Sequence, residues 1–270
     1  MNIRTVRAVN PEWNRALVTG ASAGIGNAFA RKLAASGVDL VLVARDESRL
    51  QMLADELTVQ HRVAVEVLPA DLADSQSVHE VEKRLRSGSF IDVLVNNAGV
   101  GTFGRFEDAE LEAELRTIDV NVVAPVRLTS YALERMRAEG RGTIITMSSL
   151  DALQPTPFHL VYGASKAFIN SFFEALQEEN SHTRITSTTV MPGLVRTEFT
   201  ERAGVVGTMD RVPQWLVLSP EQVASAALAD AAAGKTLSVP GSLYKAAAPI
   251  MRVLPRHVGR RIFGAVAPHN

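Results

Sequence analysis

Apolar positions along the chain fall into two alternating patterns. Residues 16–19, Ala-Leu-Val-Thr, form a short apolar run, and the helical pattern after it places Ile25, Phe29 and Leu33 on one face. Residues 40–43 are unbroken apolar, as in a strand covered on both faces, and 46–57 read as a polar helix. The alternation continues with a strand at 63–67, a helix at 75–86, a strand at 91–95 and a helical pattern over 107–137. Residues 143–147 predict a fifth strand, 161–178 a long helix, 185–190 a sixth strand, 220–233 an Ala-rich helix and 236–239 a seventh strand. Strands and helices in this order imply an α/β fold: a doubly wound parallel sheet of about seven strands, with right-handed crossovers and helices on both faces in three layers.

Two regions break the rhythm. Residues 197–218, with Gly204, Gly207 and Pro213, are too long for an ordinary connection and mark a candidate lid over a substrate. Residues 246–270 interleave Arg252, Arg256, Arg260 and Arg261 with Ile250, Val253, Leu254, Val258 and Ile262. One domain over 1–245 and a basic, apolar tail over 246–270 are therefore expected.

Composition narrows the chemistry. With 46% hydrophobic and 21% charged residues in 270, the chain can bury a sizeable core and is not disordered. Its 28 Lys plus Arg nearly balance 29 Asp plus Glu, so nothing draws it to nucleic acid. The absence of cysteine removes thiol nucleophiles, disulfides and Cys-based zinc sites. His61, His79, His159, His182, His257 and His269 lack ligand spacing, so no metal is expected. Neither a signal-peptide run nor a transmembrane-length apolar segment is visible, which points to the cytosol.

Between the first strand and first helix stands Thr19-Gly20-Ala21-Ser22-Ala23-Gly24-Ile25-Gly26, where a doubly wound fold binds phosphate. Glycines let the turn close and the backbone approach a pyrophosphate, whose charge meets the positive end of the helix. A second match, Gly99-Val100-Gly101-Thr102-Phe103-Gly104, follows the fourth strand and precedes Glu107, Asp108 and Glu110, so it is rejected as the pyrophosphate site. Arg45 ends the second strand, where an acidic residue would hold the ribose of NAD; a guanidinium there favours a 2′-phosphate, and hence NADP(H) over NAD(H). Asp71-Leu72, after the third strand, reads as an adenine contact or as a helix cap ahead of Ser75.

Tyr162 and Lys166 lie four residues apart, on one helical face. A nearby cation lowers a tyrosine pKa from about 10, as a proton donor near neutral pH requires. Ser149 lies just past the fifth strand, at the sheet edge where ligands bind, and can bond a substrate oxygen or serve as a turn or cap serine. Pro192-Gly193, with Thr197 close behind, stands in the same place after the sixth strand.

Together these motifs resemble the short-chain dehydrogenase/reductase family over residues 15–239. Thr19 to Gly26 looks like its Thr-Gly-x-x-x-Gly-x-Gly, and Asn96-Asn97-Ala98-Gly99 like its Asn-Asn-Ala-Gly. Asn121, Ser149, Tyr162 and Lys166 fall where its catalytic tetrad falls. The resemblance implies that Tyr162 donates a proton to a carbonyl, Ser149 orients that carbonyl, and Lys166 holds the nicotinamide ribose beside Tyr162. It also implies that Asn121 anchors a water, Asn97 to Gly99 line the adenosine side, and Thr197 and the backbone near Val195 fix the carboxamide.

An ending of Val239-Pro240-Gly241 and 29 further residues depart from the 3-oxoacyl carrier-protein reductases. With the long loop, this looks more like members that reduce bulky apolar ketones or aldehydes. Leu150, Phe158, Phe199, Met209 and Trp215 are candidate substrate contacts. The alternatives are a 3-oxoacyl thioester reductase, an alcohol dehydrogenase working in reverse, and a cofactor-binding interaction protein with weak catalysis. Phe168, Phe172 and Phe173 cannot all point inward from one helix, which suggests a homodimer or homotetramer. For the tail, Pro249 and Pro255 suggest short pieces that cover the cleft or reach a second subunit; a membrane surface is the less favoured reading.

Overall fold

A computed structural model describes residue 10, residues 12–199 and residues 212–266. Seven parallel strands form one sheet in the order β3-β2-β1-β4-β5-β6-β7: β1 Arg15–Thr19, β2 Asp39–Ala44, β3 Val65–Pro69, β4 Val93–Asn96, β5 Gly142–Met147, β6 Ile185–Val190 and β7 Leu237–Ser238. The helices between them are α1 Gly24–Ala35, α2 Glu47–His61, α3 Ser75–Arg86, α4 Leu111–Ile118, α5 Ala124–Ala138, α6 Leu160–Glu179 and α7 Pro220–Ala232. After β7 come α8 Ser242–Val253 and α9 Arg256–Val266.

The unbroken apolar strands are explained by two cores, one on each face. Ala16, Val18, Leu40 and Leu42 face the core built with Phe29, Leu33 and Leu50. The alternate residues Leu17, Val41 and Val43 face the core of Val78, Leu128, Ile169 and Phe173. β1, β2, β4, β5 and β6 thus bury both sides, whereas the edge strand β3 leaves Glu66 and Pro69 exposed. The strand order reverses between β1 and β4, and the crevice at their carboxyl ends is where such sheets bind ligands.

Several boundaries differ from the expectation. The third strand starts at Val65, paired with Leu40, because the Ala64 N–H goes to the Asp39 carboxylate. The fourth starts at Val93, since Asp92 turns its carboxylate to the backbone N–H groups of Asn14 and Arg15. The helical stretch over 107–137 is divided: a wide π turn, Asp119–Val123, separates α4 from α5. The tail does not break at Pro249, which lies inside α8, and that helix spans the expected boundary at 245. No helix among the described residues is long and apolar enough to cross a membrane.

Candidate active site

The turn after β1 is built for close approach. Gly20 and Gly24 have φ of +66° and +53°, and a Cβ on Gly26 would lie 2.2 Å from the Gly20 carbonyl oxygen. Thr19 braces it: its Oγ1 accepts from the N–H groups of Asn97 (2.9 Å) and Ala98 (3.0 Å), while Asn97 Nδ2 donates to the Thr19 carbonyl at 2.8 Å. The Asn97-Ala98-Gly99 segment beyond β4 is thereby fixed against the turn. α2, α3 and α7 are capped by Asp46, Asp74 and Ser219, whereas α1 has Ala23 at its N-cap and no side-chain cap. Its first N–H groups therefore fit a pyrophosphate, approached past Ser22 and Ala23, with Ile25 against the core.

Arg45 sits exposed one residue beyond β2, with no hydrogen bond or ion pair among the described residues. One turn further, Arg49 pairs with Glu198 at 3.0 Å and with Asp46 at 3.5 Å. Asp71 is not the cap of α3; Asp74 is. The Asp71 carboxylate meets Arg116 at 2.7 Å and the Ala73 N–H at 3.0 Å. Burial pushes its pKa up, but these partners outweigh it and hold the carboxyl below its usual range. Leu72 beside it is buried. Any adenine contact of Asp71 shares that carboxylate with Arg116.

The structure brings Asn121, Ser149, Tyr162 and Lys166 around one crevice. Asn121, in the π turn, clamps Val100: its Oδ1 accepts from Val100 N and its Nδ2 donates to Val100 O, both at 2.9 Å. Nδ2 also donates to Ser165 Oγ at 3.1 Å, so its side chain is fully used. Lys166 is 4% exposed; its Nζ donates to the Met147 carbonyl at 2.9 Å and lies 5.5 Å from the Tyr162 ring centre. Asn121 Oδ1 and Lys166 Nζ would each lie 3.4 Å from a Cβ on Gly99, so a bare glycine leaves the crevice open.

The electrostatics depart from the expectation. Burial pushes the Tyr162 phenol well above its usual pKa, the Asp151 carboxylate adds to this, and only the Ser149 hydroxyl opposes it. Burial also brings Lys166 down to about 8. The lysine does not offset desolvation of the phenol. Ser149 fills the cap role foreseen for it, its Oγ accepting from Asp151 N at 3.1 Å ahead of a short 3₁₀ turn, Leu150–Leu153.

Beyond β6, Pro192 O accepts from Leu150 N, and Gly193 packs so closely on Tyr244 that a Cβ would lie 2.2 Å from its Cζ. Tyr244 OH donates to Leu216 O at 2.6 Å and accepts from Leu194 N at 3.2 Å, tying α8 to both ends of the candidate lid. Val195 bridges Leu218, and a Cβ on Gly24 would lie 3.2 Å from the Thr197 methyl group. Gln154 Nε2 donates to the carbonyls of Met251 and Leu254, so the tail covers the 3₁₀ turn after Ser149. Sequence reasoning missed Tyr244 and Gln154, whose partners are far along the chain. Of the substrate candidates, Phe199 lies tilted against Tyr162 at 5.4 Å, Phe158 lies 6.4 Å from Phe103, Leu150 is buried in a small cluster with Met191 and Ala248, and Trp215 is 73% exposed. Met209 lies outside the described residues.

A glycine cradle at a switch point, a serine just past β5 and a tyrosine and lysine on the adjoining helix α6 suit proton transfer to a carbonyl beside a dinucleotide. The sequence model described as short chain dehydrogenase matches residues 14–204. The chain belongs to the short-chain dehydrogenase family. It is thus an oxidoreductase of that type. An uncharacterized oxidoreductase of Staphylococcus epidermidis is 34% identical over 187 residues, 69% of this chain and 80% of that one. The very-long-chain 3-oxoacyl-CoA reductase of Anas platyrhynchos is 32% identical over 190 residues, 69% of this chain and 61% of that protein. Among solved structures, a short-chain dehydrogenase from Sphingobium yanoikuyae in complex with NADPH superposes with a TM-score of 0.80 at 34% identity, covering 90% of this chain and 97% of that one. A bulky-bulky ketone specific alcohol dehydrogenase from Comamonas testosteroni gives 0.76 at 30% identity, covering 90% and 95%.

Proposed function

We propose that this short-chain dehydrogenase is an NADP(H)-dependent reductase of ketones or aldehydes on bulky apolar substrates. The observation that carries the reading is the crevice itself: Tyr162, Ser149 and Lys166 gather beside a glycine turn whose helix is left uncapped. NADPH, when bound, supplies hydride from its nicotinamide. Tyr162 gives its proton to the carbonyl oxygen, and Ser149 Oγ holds that oxygen and stabilises its growing charge. Lys166 holds the ribose side, and its charge on binding counteracts the desolvation that keeps the phenol protonated. Asn121, its amide bonded to Val100 and Ser165, anchors a relay water beside Lys166. The Thr197 and Val195 backbone positions face the carboxamide, and Arg45 takes the 2′-phosphate.

The 3-oxoacyl-CoA reductases among the relatives favour a second reading, a thioester-linked 3-ketone as substrate. A panel of bulky ketones, aldehydes and 3-oxoacyl thioesters assayed by NADPH consumption separates the two. The ketone reading predicts turnover of free ketones with NADPH well ahead of NADH. Arg45→Asp should weaken NADPH about a hundredfold while changing NADH far less, since a charge-assisted bond becomes a repulsion. Equal losses for both cofactors in a binding titration would remove Arg45 from the 2′-phosphate, and turnover confined to thioesters would replace the ketone reading.

A further inference from the structure

His159 is one of six histidines without ligand spacing, yet its ring lies flat on Tyr162, with centroids 4.1 Å apart and planes inclined by 7°. Its Nδ1 is 3.3 Å from a carboxylate oxygen of Asp151. Its Nε2 is buried and has no hydrogen-bond partner among the described residues. The backbone is bent to achieve this: Phe158, just before it, holds a left-handed φ of +65°, and its carbonyl is anchored by the Gly104 N–H at 2.8 Å. Gly101 completes the enclosure. A Cβ there would lie 2.8 Å from Tyr162 Cδ2, 3.1 Å from His159 Nε2 and 3.3 Å from Phe199 Cζ. The rejected glycine match thus has a use in the site.

With the carboxylate at Nδ1, the ring proton belongs there and Nε2 presents a lone pair. An acceptor walled in by Phe103, Phe199 and Tyr162 is satisfied only when a ligand brings a donor to it. The Phe199 ring lies 5.4 Å from that of Tyr162, and a Cβ on Gly101 would meet Phe199, Tyr162 and His159 Nε2 together, so the phenol and Nε2 line one enclosure.

We infer that His159, oriented by Asp151, is the floor of a subsite that accepts a hydrogen bond from a substrate hydroxyl, and that the preferred substrates are hydroxyketones. The inference rests on the carbonyl-reductase reading, because it places the hydroxyl beside the carbonyl bound by Tyr162 and Ser149. The test is a panel of ketone pairs matched in skeleton, with and without a hydroxyl next to the carbonyl, such as α-hydroxyacetophenone and acetophenone. For the wild type, kcat/KM should favour the hydroxyl-bearing member about tenfold, mainly through KM. In His159→Phe, which keeps a planar ring on Tyr162, the ratio should fall to about one, and Asp151→Asn should lower it part-way. A wild-type ratio of about one, or a ratio that survives in His159→Phe, would overturn the subsite while leaving the reductase intact. If NADPH binds but no ketone of the panel is reduced, the reductase reading falls and the subsite with it.

Discussion

Lys166 and Tyr162 were legible as a pair from their spacing alone, but their electrostatics were not, because burial depends on chains that sequence does not place side by side. Lys166, held near 8 by burial, binds its proton less readily than in the unfolded chain, where its value is 10.5. Between about pH 8 and 10.5 the unfolded state therefore carries the extra proton, and this group makes stability rise with pH, by no more than about 3 kcal/mol. The penalty is complete below about 8 and gone above about 10.5. Tyr162, held protonated by burial, acts oppositely above its unfolded value of 10.0, so the clean window is pH 8 to 10. Denaturant melts of the cofactor-free protein should show this rise, and Lys166→Met should remove it. Identical pH profiles for the two proteins would contradict the burial account. His159 escaped the sequence because one residue three positions before Tyr162 is an unremarkable spacing until the backbone bends at Phe158.

At the scale of elements, period and run length placed all seven strands and the glycine turn, and missed what side chains decide. Asp39 and Asp92 delay the starts of β3 and β4 by capturing backbone N–H groups, which no hydrophobic pattern records. The π turn at Asn121 interrupts a stretch that reads as continuous helix. The turn itself depends on missing atoms: a Cβ at position 26 would lie 2.2 Å from the Gly20 oxygen and 2.5 Å from Asn97 Nδ2. Backbone cannot yield as a flexible side chain does, so Gly26→Ala should lower stability by about 1–3 kcal/mol and abolish tight NADPH binding. Thermal melts and a fluorescence titration check this; wild-type values in both would show that the turn has slack.

Across the whole molecule, the helix carrying Tyr162 and Lys166 also presents an outer face. Phe173 is fully buried, but Phe168 is 44% exposed and stacks on Phe172, with Leu115 and Leu111 of α4 exposed as well. The expectation that one apolar face of α6 seeks a partner therefore stands as a proposal of self-association. Light scattering at micromolar concentration should give a multiple of 29.1 kDa, and Phe168→Asp should reduce it towards the single chain. A wild type of single-chain mass would contradict the proposal.

We propose Tyr162 as the proton donor in an NADPH-dependent carbonyl reduction. The measurement that tests it most directly is single-turnover oxidation of enzyme-bound NADPH by a ketone substrate, comparing the wild type with Tyr162→Phe. The variant should bind NADPH with nearly unchanged affinity and turn over about a hundredfold or more slowly, the scale of a lost general acid. A variant that oxidises NADPH at the wild-type rate would contradict it.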